Sequence, residues 1–226
     1  MIKIKRSPEP NVLKKNKKRW KKEYLEAVAL YNTRKTIINK KRILKAEGRY
    51  NHREVKKALN EMCCEKCSYC ESHISHVSYG HIEHFKPKSK FPEFCFEWEN
   101  FLLGCAVCNG KQYKSDNFPE KNEGGPFINP TTESPEYFFE FEFDPETGTA
   151  NVLPKNTRAK TTEIELGLNR PELVKHRSDV VRKIAYVALQ AKNGDNHALD
   201  ELHRCMDADQ EYAAFARAFH QRFKLA

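Results

Sequence analysis

Cys67-Ser-Tyr-Cys-Glu71, Gly80-His-Ile-Glu-His-Phe-Lys-Pro-Lys88, Trp98-Glu-Asn100 and Cys105-Ala-Val-Cys-Asn109 follow one another in this order along the chain. Two Cys-x-x-Cys turns bracket a segment that carries a Glu-His dipeptide. Each turn presents both of its sulfurs to one metal, so the pair specifies a closed tetrahedral Zn²⁺ site. The expected ligands are Cys67, Cys70, Cys105 and Cys108. Four protein ligands leave no open position, so this zinc holds a fold and performs no chemistry. Cys64 and Cys67 also make a Cys-x-x-Cys pair, with Cys63 adjacent. The Cys67/Cys70 register is preferred because Ser68-Tyr69 leads directly into Cys70-Glu71 and supplies the knuckle turn. The sequence assigns no role to Cys63, Cys64, Cys95 or Cys205.

Around this stretch lie 226 residues, enough for one compact domain with appendages or for two small domains. Charged residues make up 31%, yet the 14 Phe, 9 Tyr and 2 Trp are too many for a disordered chain. No apolar run approaches the roughly 18 residues of a membrane span. The opening MIKIKRSPEPNVLKK carries charge but no apolar core, unlike a secretory signal. A cytoplasmic protein is expected, and in that setting eight cysteines point to metal before disulfides.

The net charge of +9 is unevenly placed. Residues 1–60 hold 20 Lys and Arg against 5 Glu, a net +15; the remainder is net −6. A basic third on an otherwise acidic protein suggests a polyanionic partner. Lys14, Lys15, Lys17 and Lys18 surround an amphipathic pattern and are expected to contact phosphates without reading bases. A solvated helix face is the plain alternative.

The pattern predicts a basic helical segment over 1–60, a zinc-braced core over 61–120, an acidic loop and β-hairpin over 121–155, and a C-terminal helical segment over 156–226. Trp20, Tyr24, Val28 and Tyr31 recur at helical spacing within a helix predicted over 11–47. Asn51-His-Arg-Glu54 reads as a capping box for a short helix reaching Met62. Tyr79–Phe85 reads as a strand, and Cys105–Lys114 as the start of a short helix. Phe138–Phe143 alternates Phe with Glu, and Asp144-Pro-Glu-Thr-Gly148 turns it back into Thr149–Leu153. Asn169-Arg-Pro-Glu172 is expected to cap a helix that Gly194 stops. Tyr212, Phe215, Phe219 and Phe223 form a stripe that ordinary core packing explains.

The zinc spacing, Glu83-His84, Asn100 and Asn109 together resemble the HNH family of ββα-metal nucleases, in the subgroup braced by two Cys-x-x-Cys knuckles. The resemblance covers roughly Cys67 to Lys114 and implies an α+β fold with a ββα-metal core. Phosphodiester hydrolysis needs an attacking water, a base, and positive charge on the developing phosphorane. His84 is the natural base, since imidazole is neutral near pH 7. The motif Asn of HNH enzymes orients that base, and Asn100 matches it. Glu83 and Asn109 offer oxygen ligands that suit Mg²⁺ or Mn²⁺. The last motif position is often His; Asn109 departs from it and favours a hard ion. His81 shares a strand face with Glu83 and is a candidate outer contact or extra ligand. Lys86, Lys88, Lys111 and Lys114 flank the site as candidate phosphate contacts.

More of the chain resembles a narrower group. Cys67–Glu71, His81–Lys88, Trp98–Asn100, Phe118-Pro119, Phe127-Ile-Asn-Pro-Thr131 and Leu168-Asn-Arg170 are similar to the PtuB-type HNH nucleases of Septu and related retron anti-phage systems. That resemblance implies a role in bacterial defence and an ABC/SMC-like ATPase partner, PtuA. Gln112 stands where a lysine is expected, with Lys111 and Lys114 on either side. Two other readings compete: a non-catalytic zinc-knuckle nucleic-acid-binding protein, and an interaction scaffold using the acidic hairpin and the aromatic stripe. A binding module needs no base beside oxygen ligands.

Overall fold

The computed structural model describes residues 1–74 and 80–225. Among these, seven α-helices and two small antiparallel hairpins make a mixed α+β fold. Helix α1 (Asn11–Thr33) buries Leu13, Trp20, Tyr24 and Ala27, while Lys14, Lys15, Lys18 and Lys22 are exposed. The helix predicted over 11–47 breaks at Arg34, whose backbone is extended, and resumes as α2 (Ile37–Glu47). The cause is Thr36, whose hydroxyl accepts the Asn39 N–H at 3.2 Å and caps a new start. Helix α3 (Arg53–Met62) ends where predicted, but its cap is His52 rather than Asn51: the imidazole accepts the Glu54 N–H at 3.2 Å.

Strands β1 (His81–His84) and β2 (Phe101–Gly104) pair with Glu83 opposite Leu102 and His84 opposite Phe101. Tyr79, included in the predicted strand, lies outside the described residues. Beyond β2 the predicted short helix is absent. Residues 105–116 form successive turns closed by Gly110 N–H to the Val107 carbonyl and Tyr113 N–H to the Gly110 carbonyl. Lys114 N–H reaches back to the Cys108 carbonyl at 3.2 Å. Apart from Asn109 N–H to the Cys105 carbonyl at 3.1 Å, these bonds take the place of an i to i−4 ladder, because the segment must bring two sulfurs to the knuckle.

Strands β3 (Phe139–Asp144) and β4 (Thr149–Pro154) form the predicted hairpin, with Phe139 and Phe141 buried and Glu140 and Glu142 exposed. It packs on α5 (Pro171–Lys192) and α7 (Ala213–Phe223). Helix α4 (Thr157–Glu165), capped by Asn156, lies within the segment predicted as helical, though the sequence pattern does not single it out as a separate helix. Asn169 does not cap α5. Its amide pairs with both backbone groups of Val152, at 2.9 and 2.8 Å, and ties the helix entrance to β4. Helix α6 (Asn196–Cys205) packs on α5, and Tyr212, Phe215 and Phe219 are core, as the plain reading of the stripe expects.

One apolar core runs from Leu13 through Phe96, Phe101 and Phe127 to Phe219. The residues before α1 thread beneath it. Arg6 donates to the Phe101 carbonyl at 2.6 Å and the Glu99 carbonyl at 3.1 Å, and lies over the Trp98 ring. Trp98 in turn donates to the Ser7 carbonyl at 2.7 Å. These bonds hold the turn carrying Asn100 against β2.

Candidate metal centre and active site

The sulfurs of Cys67, Cys70, Cys105 and Cys108 all lie within 4.8 Å of one another. With Zn–S bonds of about 2.3 Å, sulfurs of a tetrahedral site sit roughly 3.8 Å apart, so the set fits one soft ion. No disulfide competes for them. The register is the preferred one: Cys64 lies outside the group, and Cys63 bonds the Ser68 hydroxyl at 3.4 Å. Backbone N–H groups already point at sulfur, Cys105 to Cys67 at 3.4 Å and Cys108 to Cys105 at 3.3 Å. Hydrogen bonding with the neighbouring sulfurs, Cys105 first, pulls Cys70 well below the ordinary thiol range, whereas burial pushes Cys67 up. Arg170 donates to Cys108 Sγ at 3.5 Å. Burial works against its charge, but the sulfurs of Cys108, Cys70 and Cys105 outweigh it and keep the guanidinium protonated. The Ser68 N–H bonds the Leu103 carbonyl at 2.8 Å and the Leu103 N–H bonds the Ser68 hydroxyl, so the first knuckle is stitched to β2.

Glu83 and His84 stand at the end of β1 and are both buried, at 3% and 6% exposure. The His84 ring is clamped edge-on between Tyr50, centroids 4.6 Å apart, and Phe101, at 5.0 Å. Its Nε2 lies 2.9 Å from the Cys95 carbonyl. A carbonyl only accepts, so Nε2 carries the proton and Nδ1 keeps the lone pair. Burial lowers the pKa of His84 to about 4, against the raising effect of that carbonyl. The imidazole is therefore neutral and fixed in one tautomer.

Asn100 makes no hydrogen bond to the imidazole ring. Its carbonyl oxygen accepts the Lys86 N–H at 2.8 Å, and its amide donates to the carbonyls of Lys86 and Phe94 at 3.0 and 3.2 Å. It clamps the loop after β1, and that loop delivers the Cys95 carbonyl to His84. Sequence reasoning missed Cys95 because a backbone carbonyl has no signature. It missed Tyr50 because the residue is remote in sequence.

Glu83 Oε1 is buried without a hydrogen bond of good geometry, although the Lys114 ammonium is in ion-pair contact with it. Burial pushes its carboxyl up, opposed by Lys114 and then Lys88. Gly104 is the gap between Glu83 and Asn109. A Cβ there would lie 3.3 Å from Glu83 Cβ and 3.5 Å from Asn109 Cβ. The two predicted oxygen ligands are thus neighbours across a glycine, one of them ion-paired with Lys114. This donor set fits a hard divalent cation.

The other predicted residues divide. His81 is exposed at the start of β1, opposite Gly104. Lys86 stacks over Phe94, its ammonium 4.1 Å from the ring centre, and Lys88 faces Tyr50. Lys111 is exposed. Lys114 is fully buried, with its ammonium on Glu83 and on the His84 carbonyl, so it is not free at the surface. Exposed Asp116, not singled out from the sequence, acts electrostatically on both Glu83 and His84.

The chain is similar to three proteins of bacterial defence systems. It is 28% identical to the Septu protein PtuB of Bacillus mycoides over 220 residues, covering 86% of this chain and 72% of that one. It is 42% identical to the Septu protein PtuB of Bacillus thuringiensis over 82 residues, covering 36% of this chain and 30% of that one. It is 31% identical over 156 residues to a Vibrio cholerae protein named as the HNH endonuclease of retron Vc95, covering 64% of this chain and 71% of that one. No family model and no solved structure matches the chain. No helix among the described residues is long and apolar enough to cross a membrane.

Two measurements follow from this geometry. Elemental analysis should find one zinc per folded chain. Cys105→Ser should lose both the metal and most of the soluble folded yield, because forming the site and folding are one equilibrium; a well-folded wild type without metal contradicts the assignment. Nitrogen NMR of the His84 ring should show a neutral Nε2–H tautomer at pH 6, where a free imidazole is largely protonated. The unfolded chain binds more protons than the folded one between about pH 6.5 and 4. The stabilising contribution of His84 is therefore complete above pH 6.5 and is lost as pH falls toward about 4.

Proposed function

The chain belongs to the family of Septu PtuB proteins and retron HNH endonucleases, and we propose that it is a metal-dependent endonuclease that hydrolyses DNA phosphodiester bonds in anti-phage defence. The observation that carries this reading is the Glu83-His84 pair: a buried carboxylate, ion-paired with Lys114 and close to Asn109, next in sequence to an imidazole held neutral. A protein that only binds nucleic acid needs neither.

His84 Nδ1 takes the proton of the attacking water. The Cys95 carbonyl, already bonded to Nε2–H, steadies the imidazolium that forms. Asn100 supports this through the loop it clamps. A Mg²⁺ or Mn²⁺ ion held by Glu83 and Asn109 would supply positive charge to the developing phosphorane and the leaving oxygen. Lys86, Lys88 and Lys111 are the proposed phosphate contacts. The zinc braces this arrangement and stays out of the chemistry. An isolated core of this kind reads little sequence, so targeting falls to a partner, for which the family resemblance implies an ABC/SMC-like ATPase.

His84→Ala should keep the fold and the structural zinc and lose metal-dependent plasmid nicking by roughly 10²–10⁴-fold. Undiminished nicking by the folded variant rules out the base. Glu83→Gln and Asn109→Ala should instead shift the half-saturating Mg²⁺ or Mn²⁺ concentration upward.

The basic helix is proposed to add phosphate contacts independent of sequence. Lys14, Lys15 and Lys18 are exposed and available for this. Lys17 is engaged internally, 2.9 Å from Glu9 and 3.5 Å from Glu97, and is not part of the surface set. Neutralising the three exposed lysines should lower affinity equally on all DNA sequences. It should also flatten the log–log salt slope by about 0.9 for each phosphate no longer neutralised. An unchanged slope would give the helix another task.

A further inference from the structure

Lys114 is the one lysine of the post-knuckle segment that points inward. Its side chain has 0% exposure, which a lysine tolerates only when its charge is compensated. It stands against two adjacent residues of β1 at once. The ammonium is in ion-pair contact with Glu83 Oε1 and donates to the His84 carbonyl at 2.9 Å. Its own backbone N–H is held by the Cys108 carbonyl at 3.2 Å, so its position is referenced to the second knuckle. One cation therefore joins three things: the zinc-braced turn, the carboxylate and the backbone of the base. A lysine that grips phosphate is exposed and flexible; this one is neither.

We propose that Lys114 is a positioning residue for the metal ligand Glu83. Its ammonium rests on one carboxylate oxygen and fixes the orientation in which the carboxylate meets a divalent cation. The inference rests on the reading of Glu83 as a cation ligand. Carboxylates that bind metals depend on such outer partners, whose removal typically weakens metal binding by about 10–100-fold.

The test is Mn²⁺ binding to the full zinc-loaded chain without DNA, followed by the electron paramagnetic resonance signal of free Mn²⁺. Wild type, Glu83→Gln, Lys114→Met and Lys114→Gln are compared at equal zinc content. Lys114→Gln retains a donor for the His84 carbonyl and serves if Lys114→Met does not fold. Both Lys114 variants should bind Mn²⁺ about 10–100-fold more weakly. Their DNA affinity, measured without divalent metal, should keep the wild-type salt slope, since the same phosphates remain neutralised. Unchanged Mn²⁺ affinity overturns the proposal. Tighter binding also overturns it, because Lys114 would then be a competitor for the metal seat. A salt slope reduced by about 0.9 returns Lys114 to the phosphate-binding lysines. If Glu83→Gln binds Mn²⁺ as wild type does, the fault lies in the cation-ligand reading itself, whatever the Lys114 variants do.

Discussion

Four sulfurs meeting at one point are the constraint on which the rest of this structure depends. The two knuckles are separated by the whole β1–β2 hairpin and its loop, and their convergence closes that segment into a fixed ring. A two-stranded hairpin of four residues a side is marginal on its own. Here it is held at one end by the cysteine cluster and stitched to the first knuckle through Ser68 and Leu103. The other end is held by the Asn100 clamp and by Arg6 and Trp98. The Glu83-His84 dipeptide lies on the strand between these fixed points, so few degrees of freedom remain for it.

Burial then determines what each group can do. His84 and Glu83 are neighbours in sequence, and withdrawal from water pushes each toward its neutral form. For the imidazole this yields a base with its lone pair available well below neutral pH. For the carboxylate it is opposed by the Lys114 ammonium, which the same turn that carries Cys108 brings into contact. An unpaired carboxylate at this depth would be costly. The ion pair and the cysteine cluster are thus joined through a few residues of backbone.

The charge asymmetry of the chain follows its architecture. Lys14, Lys15, Lys18 and Lys22 of α1 face outward from a helix whose inner face is Trp20 and Tyr24, while the acidic hairpin packs on α5 and α7. Some charges that look free in the sequence are internal: Lys17 and Lys21 both pair with Glu97 beside the Trp98–Asn100 turn. The basic surface is therefore smaller than the composition suggests.

The amino-acid sequence by itself determined the four sulfur ligands, the candidate Glu-His pair and the acidic hairpin, because each is written in short-range spacing: Cys-x-x-Cys, a dipeptide, an alternation of Phe and Glu. Spacing also carries the family resemblance. Tertiary structure alone decided which groups surround them. That His84 bonds the Cys95 carbonyl and is clamped by Tyr50, that Asn100 acts on a loop, and that Lys114 turns inward to Glu83 all depend on groups brought together by folding from separate parts of the chain. The post-knuckle segment makes the same point locally. Its composition permits a helix, but the requirement that Cys105 and Cys108 converge on the first knuckle outweighs that propensity and leaves turns. Local pattern specifies which residue types are present. Only the long-range closure of the metal site specifies which of them meet.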